Sequence, residues 1–237
     1  MSCVFIAENA NENLKAYFIN NGCTLIEIKK TDSVYEAVSC HTDIYMCKIG
    51  NSIVISQEQL EKIKDMLYHH HISYLAGTDP LGYKYPENIK YNGVQIGKYF
   101  IHNTKYTDAK ILETAELYGL KIIHVKQGYS KCNIAVIDDN SAITSDKGLY
   151  RSLTEHGFDV LLIQQGHVKL KGFDYGFIGG ASGKIENSIV FNGNLEEHPD
   201  FNKIQAFISS KGLQLVYFPQ YPLEDIGSII TAGEDEQ

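Results

Sequence analysis

Short apolar runs alternate along the chain with stretches of helical period. Val4-Phe5-Ile6, Ser52-Ile53-Val54-Ile55, Tyr99-Phe100-Ile101, Ala142-Ile143-Thr144 and Ser188-Ile189-Val190-Phe191 are β-branched or aromatic runs that read as strands. Behind each lies a segment that predicts a helix, over about 10–21, 57–70, 107–118, 146–156 and 199–211, most with Ser, Thr, Asp or Asn near the start. A glycine and a further apolar run follow four of these helices: Gly22 before 23–28, Gly119 before 120–125, Gly157 before 158–163 and Gly212 before 213–218. His71 takes the glycine's place before Ile72-Ser73-Tyr74-Leu75. A glycine here suits the residue after a last helical turn, which often takes φ > 0.

In four of the five copies an additional strand precedes, over 43–48, 93–97, 132–138 and 175–185. The tight turns are Gly50-Asn51, Gly97-Lys98, Asp139-Asn140 and Glu186-Asn187. The repeating unit is therefore strand, turn, strand, helix, strand, used five times. The first copy lacks its opening strand, and Ile226-Gly227-Ser228-Ile229-Ile230-Thr231 is a terminal apolar strand without a helix after it. That strand is expected to complete the first unit and close a ring with no open edge. The expected organisation is one domain over 1–237, with units at about 1–40 (closed by 226–233), 41–90, 91–128, 129–172 and 173–225. Glu234-Asp235-Glu236-Gln237 reads as a solvated tail.

Composition narrows the classes. With 43% apolar and 21% charged residues among 237, the chain is of ordinary globular make-up. No apolar run approaches the ~18 residues of a membrane span, and the start Met1-Ser2-Cys3 has no signal-peptide plan. A cytoplasmic protein without membrane partners is expected. The net charge of −8 argues against gripping a phosphate backbone, so no nucleic-acid partner is expected. Arg151 is the only arginine among 21 basic residues, and it falls in an outer helix, which leaves no arginine clamp for a carboxylate. The five cysteines, Cys3, Cys23, Cys40, Cys47 and Cys132, contain no CxxC pair and read as reduced thiols. His69-His70-His71 at a helix end point in different directions, so no metal site is expected there or elsewhere.

Five such units in a ring resemble the pentein superfamily, the α/β fold built as a five-bladed β/α-propeller and used by guanidine-modifying enzymes; the chain looks closest to a bacterial branch without assigned chemistry. That superfamily includes arginine deiminases, dimethylarginine hydrolases and amidinotransferases, with a ribosome-binding translation factor that is not an enzyme. The resemblance implies carboxylates, a His and a Cys converging on the ring axis, with the thiolate attacking a guanidinium carbon. His41-Thr42-Asp43-Ile44-Tyr45 is similar to the carboxylate motif, so Asp43 carries over. The His position falls near Gly128-Tyr129-Ser130-Lys131-Cys132, which has none, and 226–232 contains no Cys. Ser228 and Thr231 are the hydroxyls there, and without an adjacent base they are poor nucleophiles.

Other residues offer themselves, each with a plainer alternative. Cys132 beside Lys131 opens a unit, and a nearby cation lowers a thiol pKa; a buried inert cysteine is the alternative. His41 is either a base or a strand-end residue, and Asp43 either a ligand carboxylate or a turn carboxylate. Asp79, in a loop over 77–91, is a further charge. Gly179, Gly180, Ser182 and Lys184 lie in a glycine-rich stretch whose amides could form an anion nest, or whose glycines serve packing alone. Lys98, in the third unit's turn, is another ligand candidate.

The leading expectation is a protein that binds an unidentified small molecule, of guanidino or amidino type where the family chemistry is kept, in its axial pocket without the usual Cys–His pair. The alternative is an enzyme on a guanidino or amidino carbon–nitrogen bond, with Cys132 as relocated nucleophile and His41 as base. A non-enzymatic protein-binding scaffold is third. No cofactor is implied, and no oligomeric state follows.

Overall fold

The computed structural model describes residues 2–232. The expected solvated tail at 234–237 lies outside the described residues. Five three-stranded sheets follow one another, each built the same way. The first joins β1 (Cys3–Ala7) to β2 (Thr24–Ile28) through helix α1 (Glu12–Asn20). The second follows a helical turn, α2 (Thr42–Tyr45), and contains β3 (Met46–Ile49), β4 (Ser52–Ile55), α3 (Gln57–His69) and β5 (Leu75–Ala76). The third contains β6 (Val94–Ile96), β7 (Tyr99–His102), α4 (Ala109–Leu117) and β8 (Lys121–His124). A second helical turn, α5 (Ser130–Asn133), leads into β9 (Ile134–Asp138), β10 (Ser141–Thr144), α6 (Lys147–Glu155) and β11 (Asp159–Leu162). The fifth sheet holds β12 (Ser182–Ile185), β13 (Ser188–Phe191), α7 (Phe201–Ser210) and β14 (Gln214–Val216). Finally β15 (Ile230–Ala232) returns to pair antiparallel with β1, Phe5 opposite Ile230 and Cys3 opposite Ala232.

In every sheet the middle strand pairs antiparallel with a first strand on one side and parallel with the post-helix strand on the other. A parallel return needs a crossover, and the helix supplies it. The middle strands are buried nearly throughout, which explains why they read as unbroken apolar runs rather than alternating ones. Asn11, Asp108 and Asp146 cap α1, α4 and α6 through their side chains. The predicted helix stops are also present: Gly22, Gly119, Gly157 and Gly212 have φ between +65° and +86°, and His71 adopts +56° in the same role. Among the described residues no helix is long and apolar enough to cross a membrane.

Four expected strands are shorter than the apolar pattern suggests. Residues 42–45 and 130–133 form helical turns, 175–181 is irregular, and the last strand begins only at Ile230. The reason is where their backbone groups bond. Asp43 N–H donates to Gly227 O at 2.8 Å, Lys131 N–H to Asn92 O at 3.0 Å, and Gly180 N–H to Cys132 O at 2.8 Å. Ser228 N–H donates to Gly180 O at 2.8 Å. These groups reach sideways to the next unit and are unavailable to a ladder. First strands neighbour one another as well, β3 beside β6, β6 beside β9, β9 beside β12, and β12 beside β15.

Candidate functional site

The segments that open the units meet in a buried cluster. Asp43, from α2, is fully buried, and its Oδ2 accepts two hydrogen bonds, from the Cys132 thiol at 3.0 Å and the Ser228 hydroxyl at 2.5 Å. Ser228 has φ +70°, a left-handed backbone that costs a side-chain-bearing residue energy. The site holds that strain in place: Gly179 O lies 3.0 Å from the same hydroxyl.

Asn92, just ahead of β6, clamps two units together. Its Nδ2 donates to Asp43 O at 3.0 Å and to Cys132 Sγ at 3.3 Å. Its Oδ1 accepts from the amides of Lys131 at 2.9 Å and Cys132 at 3.2 Å. On the other flank, Asp225 accepts from the amides of Gly227 and Phe177, each at 2.9 Å. His41 Nδ1 stands 3.7 Å from Asp225 Oδ1, too far for a hydrogen bond. Among the described residues, His41 Nδ1 and Asp43 Oδ1 are buried with no hydrogen-bond partner.

Burial sets the charge states here. Desolvation raises the Asp43 carboxyl above the ordinary aspartate range, and burial likewise lifts Asp225 to about 6. His41 is lowered to about 4 by burial, against the pull of Asp43. The neighbouring Lys131 does not hold the Cys132 thiol down. Burial first, then the charges of Asp43 and Asp225, push this thiol well above its usual value. A thiol donating to a carboxylate is the form this environment favours.

Aromatic side chains cover the neighbourhood. The hydroxyls of Tyr35 and Tyr129 are 3.3 Å apart, Asn88 bonds Tyr129, and the Tyr129 ring packs 6.3 Å from that of Phe177. Cys132 and His41 each retain 3% exposure, which keeps them from solvent.

A cavity of about 390 Å³ lies along the first strands. All five contribute to it: Lys48 from β3, Gln95 from β6, Val136 from β9, Lys184 from β12 and Thr231 from β15. Lys131 and Ser182 reach it too, while Asp43, His41 and Cys132 are not in its wall. Asp139 and Glu186, exposed at their turns, complete the rim.

The expected ligand residues divide accordingly. Lys131, Ser182 and Lys184 line the cavity; Asp43, His41 and Cys132 form the cluster. Gly179 and Gly180 offer no anion nest, because the amides of Gly180, Ala181 and Ser182 donate to Cys132, Phe177 and Gly179 carbonyls. Glycine is needed at 180 for close approach, since a Cβ would collide with the Asp225 carboxylate. Asp79 lies elsewhere: its Oδ2 accepts from Ala109 N at 3.2 Å, at the start of α4. Lys98 is exposed in its turn, 5.8 Å from the centre of the Tyr99 ring. Asn92, Asp225 and Lys48 were not singled out from sequence. Asn92 holds the same unit-opening place as Asp43 and Cys132, and that position was the available signal.

Solved structures with this fold include a dimethylarginine dimethylaminohydrolase from Pseudomonas aeruginosa complexed with citrulline. It is 10% identical, with a TM-score of 0.58 over 92% of this chain and 91% of that one. A C. jejuni agmatine deiminase is 12% identical, with a TM-score of 0.57 over 100% of this chain and 93% of that one. An amidinotransferase from Microseira wollei in the saxitoxin biosynthetic pathway is 7% identical, with a TM-score of 0.58 over 95% and 79%. All three are pentein proteins, so the resemblance read from the repeat is a likeness of fold. No curated protein matches the sequence. The match over residues 5–230 shows that the chain belongs to the Family of unknown function (DUF6873).

Proposed function

We propose that the chain is one domain of five strand–strand–helix–strand units arranged as a propeller, and that it binds a small molecule carrying an anionic group in the cavity on the propeller axis. The ring is supported by a cycle of hydrogen bonds between unit openings. Gly180 N–H meets Cys132 O, Lys131 N–H meets Asn92 O, Asn92 Nδ2 meets Asp43 O, Asp43 N–H meets Gly227 O, and Ser228 N–H returns to Gly180 O. The pairing of β15 with β1 supports closure at the chain's end.

The observation that carries the ligand reading is the lysine lining. Lys48, Lys131 and Lys184 line the cavity, and none has an ion pair or side-chain hydrogen bond among the described residues. Burial lowers the amines of Lys48 and Lys131 below the ordinary lysine range. Lys48 is held out of water with no opposing charge, and Lys131 forms no ion pair although it feels the buried Asp43 and Asp225, so both amines favour an incoming anion. Asp139 and Glu186 at the rim suit a cationic end on the same molecule. A guanidino or amidino acid, its acid inward, combines these features, and the names of the three structural relatives point to guanidino compounds. Calorimetric titration tests this with guanidino acids, simple carboxylates, phosphate and guanidinium. Acids should bind and guanidinium alone should not, and Lys131→Met should weaken binding about tenfold or more. Guanidinium binding as well as the acids, or an unaffected Lys131→Met protein, would overturn the reading.

A second reading has one observation in its favour: a ligand atom from each of His41, Asp43 and Cys132 lies within 4.8 Å of the others. It makes Cys132 the nucleophile of a hydrolase or transferase on a guanidino carbon, His41 its base, and Asp43 the holder of the cation. It requires the aromatic cover to open and the thiol to lose its proton.

A further inference from the structure

We propose that His41, Asp43 and Cys132 form a binding site for a transition-metal ion of the zinc class. This inference rests on neither reading above, since the cavity lysines take no part in it and no thiol attack is involved. Sequence spacing points to no metal-ligand set, because positions 41 and 43 lie some ninety residues from position 132. The fold brings them together: one ring nitrogen, one carboxylate oxygen and one sulfur, all within 4.8 Å of one another and all buried. Nitrogen, oxygen and sulfur donors in threes are the set a zinc-class ion takes, with a fourth tetrahedral position left for water or a ligand.

Two further observations point to an ion. First, His41 Nδ1 and Asp43 Oδ1 are buried without hydrogen-bond partners among the described residues, although neither group can rotate into water. Buried polar groups are nearly always satisfied, and those that are not need an explanation. Secondly, a second buried carboxylate faces the cluster, with Asp225 Oδ1 3.7 Å from His41 Nδ1. Lys131 attracts both carboxylates but forms no ion pair with either among the described residues. Buried charges are ordinarily paired or ligate metals. A divalent cation would match the charge of Asp43 and a Cys132 thiolate together.

The surroundings suit such a site. Ser228 and Asn92 already hold Asp43 and Cys132 in place by hydrogen bonds, as outer groups do around metal ligands. On loading, the Cys132 sulfur–hydrogen bond is replaced by a sulfur–metal bond and one proton leaves to solvent; the metal's oxidation state does not change. Neutral imidazole and the ionised carboxylate bind through lone pairs without further proton loss.

Cobalt(II) reports on such a site directly, because thiolate ligation gives a near-ultraviolet charge-transfer band and tetrahedral geometry gives intense visible bands. The full-length protein would be dialysed against chelator, then titrated with cobalt(II) after long incubation to allow for burial. The expected result is both bands saturating at one equivalent, with about one proton released per ion in weak buffer. Cys132→Ser should abolish the charge-transfer band, and Cys23→Ser, at a partly exposed thiol outside the cluster, should keep it. Should Cys132→Ser fail to fold, the parent protein's bands and proton release decide alone. No charge-transfer band in the parent protein, or a band that survives in folded Cys132→Ser, would overturn the proposal.

Discussion

At their opening ends the first strands gather two carboxylates, an imidazole and a thiol; along their length they line a cavity with three lysines. The two regions meet at Lys131 and Cys132, neighbours in sequence, yet differ in almost every physical respect. The acid end is dry and bound by hydrogen bonds that cross between units, while the lysine end is partly open and its amines are unbonded. Residues that make the contacts between units bond to one another, so removing one leaves partners orphaned. Residues that only line space can be exchanged for apolar ones with little loss. The difference separates groups that hold the fold from groups free to meet a ligand.

The largest expected effect follows from that contrast. Asp43→Ala leaves the Ser228 hydroxyl and the Cys132 thiol without their acceptor in a dry site, and should cost about 2–4 kcal/mol, or roughly 5–15 °C in Tm. Lys131→Met removes an amine with no ion pair and keeps much of the stem's volume, so stability should stay level or rise by up to about 1 kcal/mol. Thermal and denaturant unfolding of both variants measure this. Equal losses would erase the distinction between the two regions.

Much of this contrast was beyond the reach of the sequence, for a definite reason. The repeat was legible because its signals are local: a cap, a helical period, a residue with positive φ, an apolar run. Gly119 and His71 end their helices by the same geometry, so even the copy without glycine could be aligned. The cluster is legible only once the units are stacked. Asp43 meets Cys132 across 89 residues and Ser228 across 185. Nothing local marks Asp225, and only its place in the unit marks Asn92; their roles come from the amides they accept from other segments. The opening segments also misled, since 43–45 and 132–133 read as strand beginnings. Their amides bond to the next unit, and the chain coils there instead of extending.

A smaller effect tests how the covered end responds to acid. His102 is buried, with Nδ1 bonded to Thr107 at 2.7 Å and Nε2 to Gly128 O at 2.9 Å, just before Tyr129. Burial lowers it to about 4. The unfolded chain therefore binds more protons than the native one between about 6.5 and 4, and this contribution to stability is lost as pH falls through that window. His41, also near 4, acts in the same sense. Asp225, raised to about 6, acts oppositely, favouring the fold as pH falls between 6 and its ordinary value. Asp43, also raised by burial, acts with Asp225, so the cluster's groups pull both ways and the His102 contribution is read by difference in the substitution. Between pH 7 and pH 5 the parent protein should lose about 1–2 kcal/mol more than His102→Gln does, measured by denaturant unfolding. A slope unchanged by the substitution would assign the acid response to the cluster instead.

The least disruptive probe is the order in which the five thiols react with iodoacetamide. Alkylation requires both thiolate and access. Cys23 is partly exposed, whereas Cys3, Cys40, Cys47 and Cys132 are buried. Desolvation pushes Cys3 and Cys47 up to about 12 and Cys40 to about 11, and Cys132 is also driven well above its usual value. Cys23 should therefore label first at pH 8.5. The other four should lag by about a hundredfold, at rates governed by opening of the fold. Peptide mass spectrometry assigns the sites. Cys132 labelling ahead of Cys23 at neutral pH would mean that the aromatic cover opens and the thiol ionises readily. The covered end would then be the reactive one, and the nucleophile reading would displace the ligand reading.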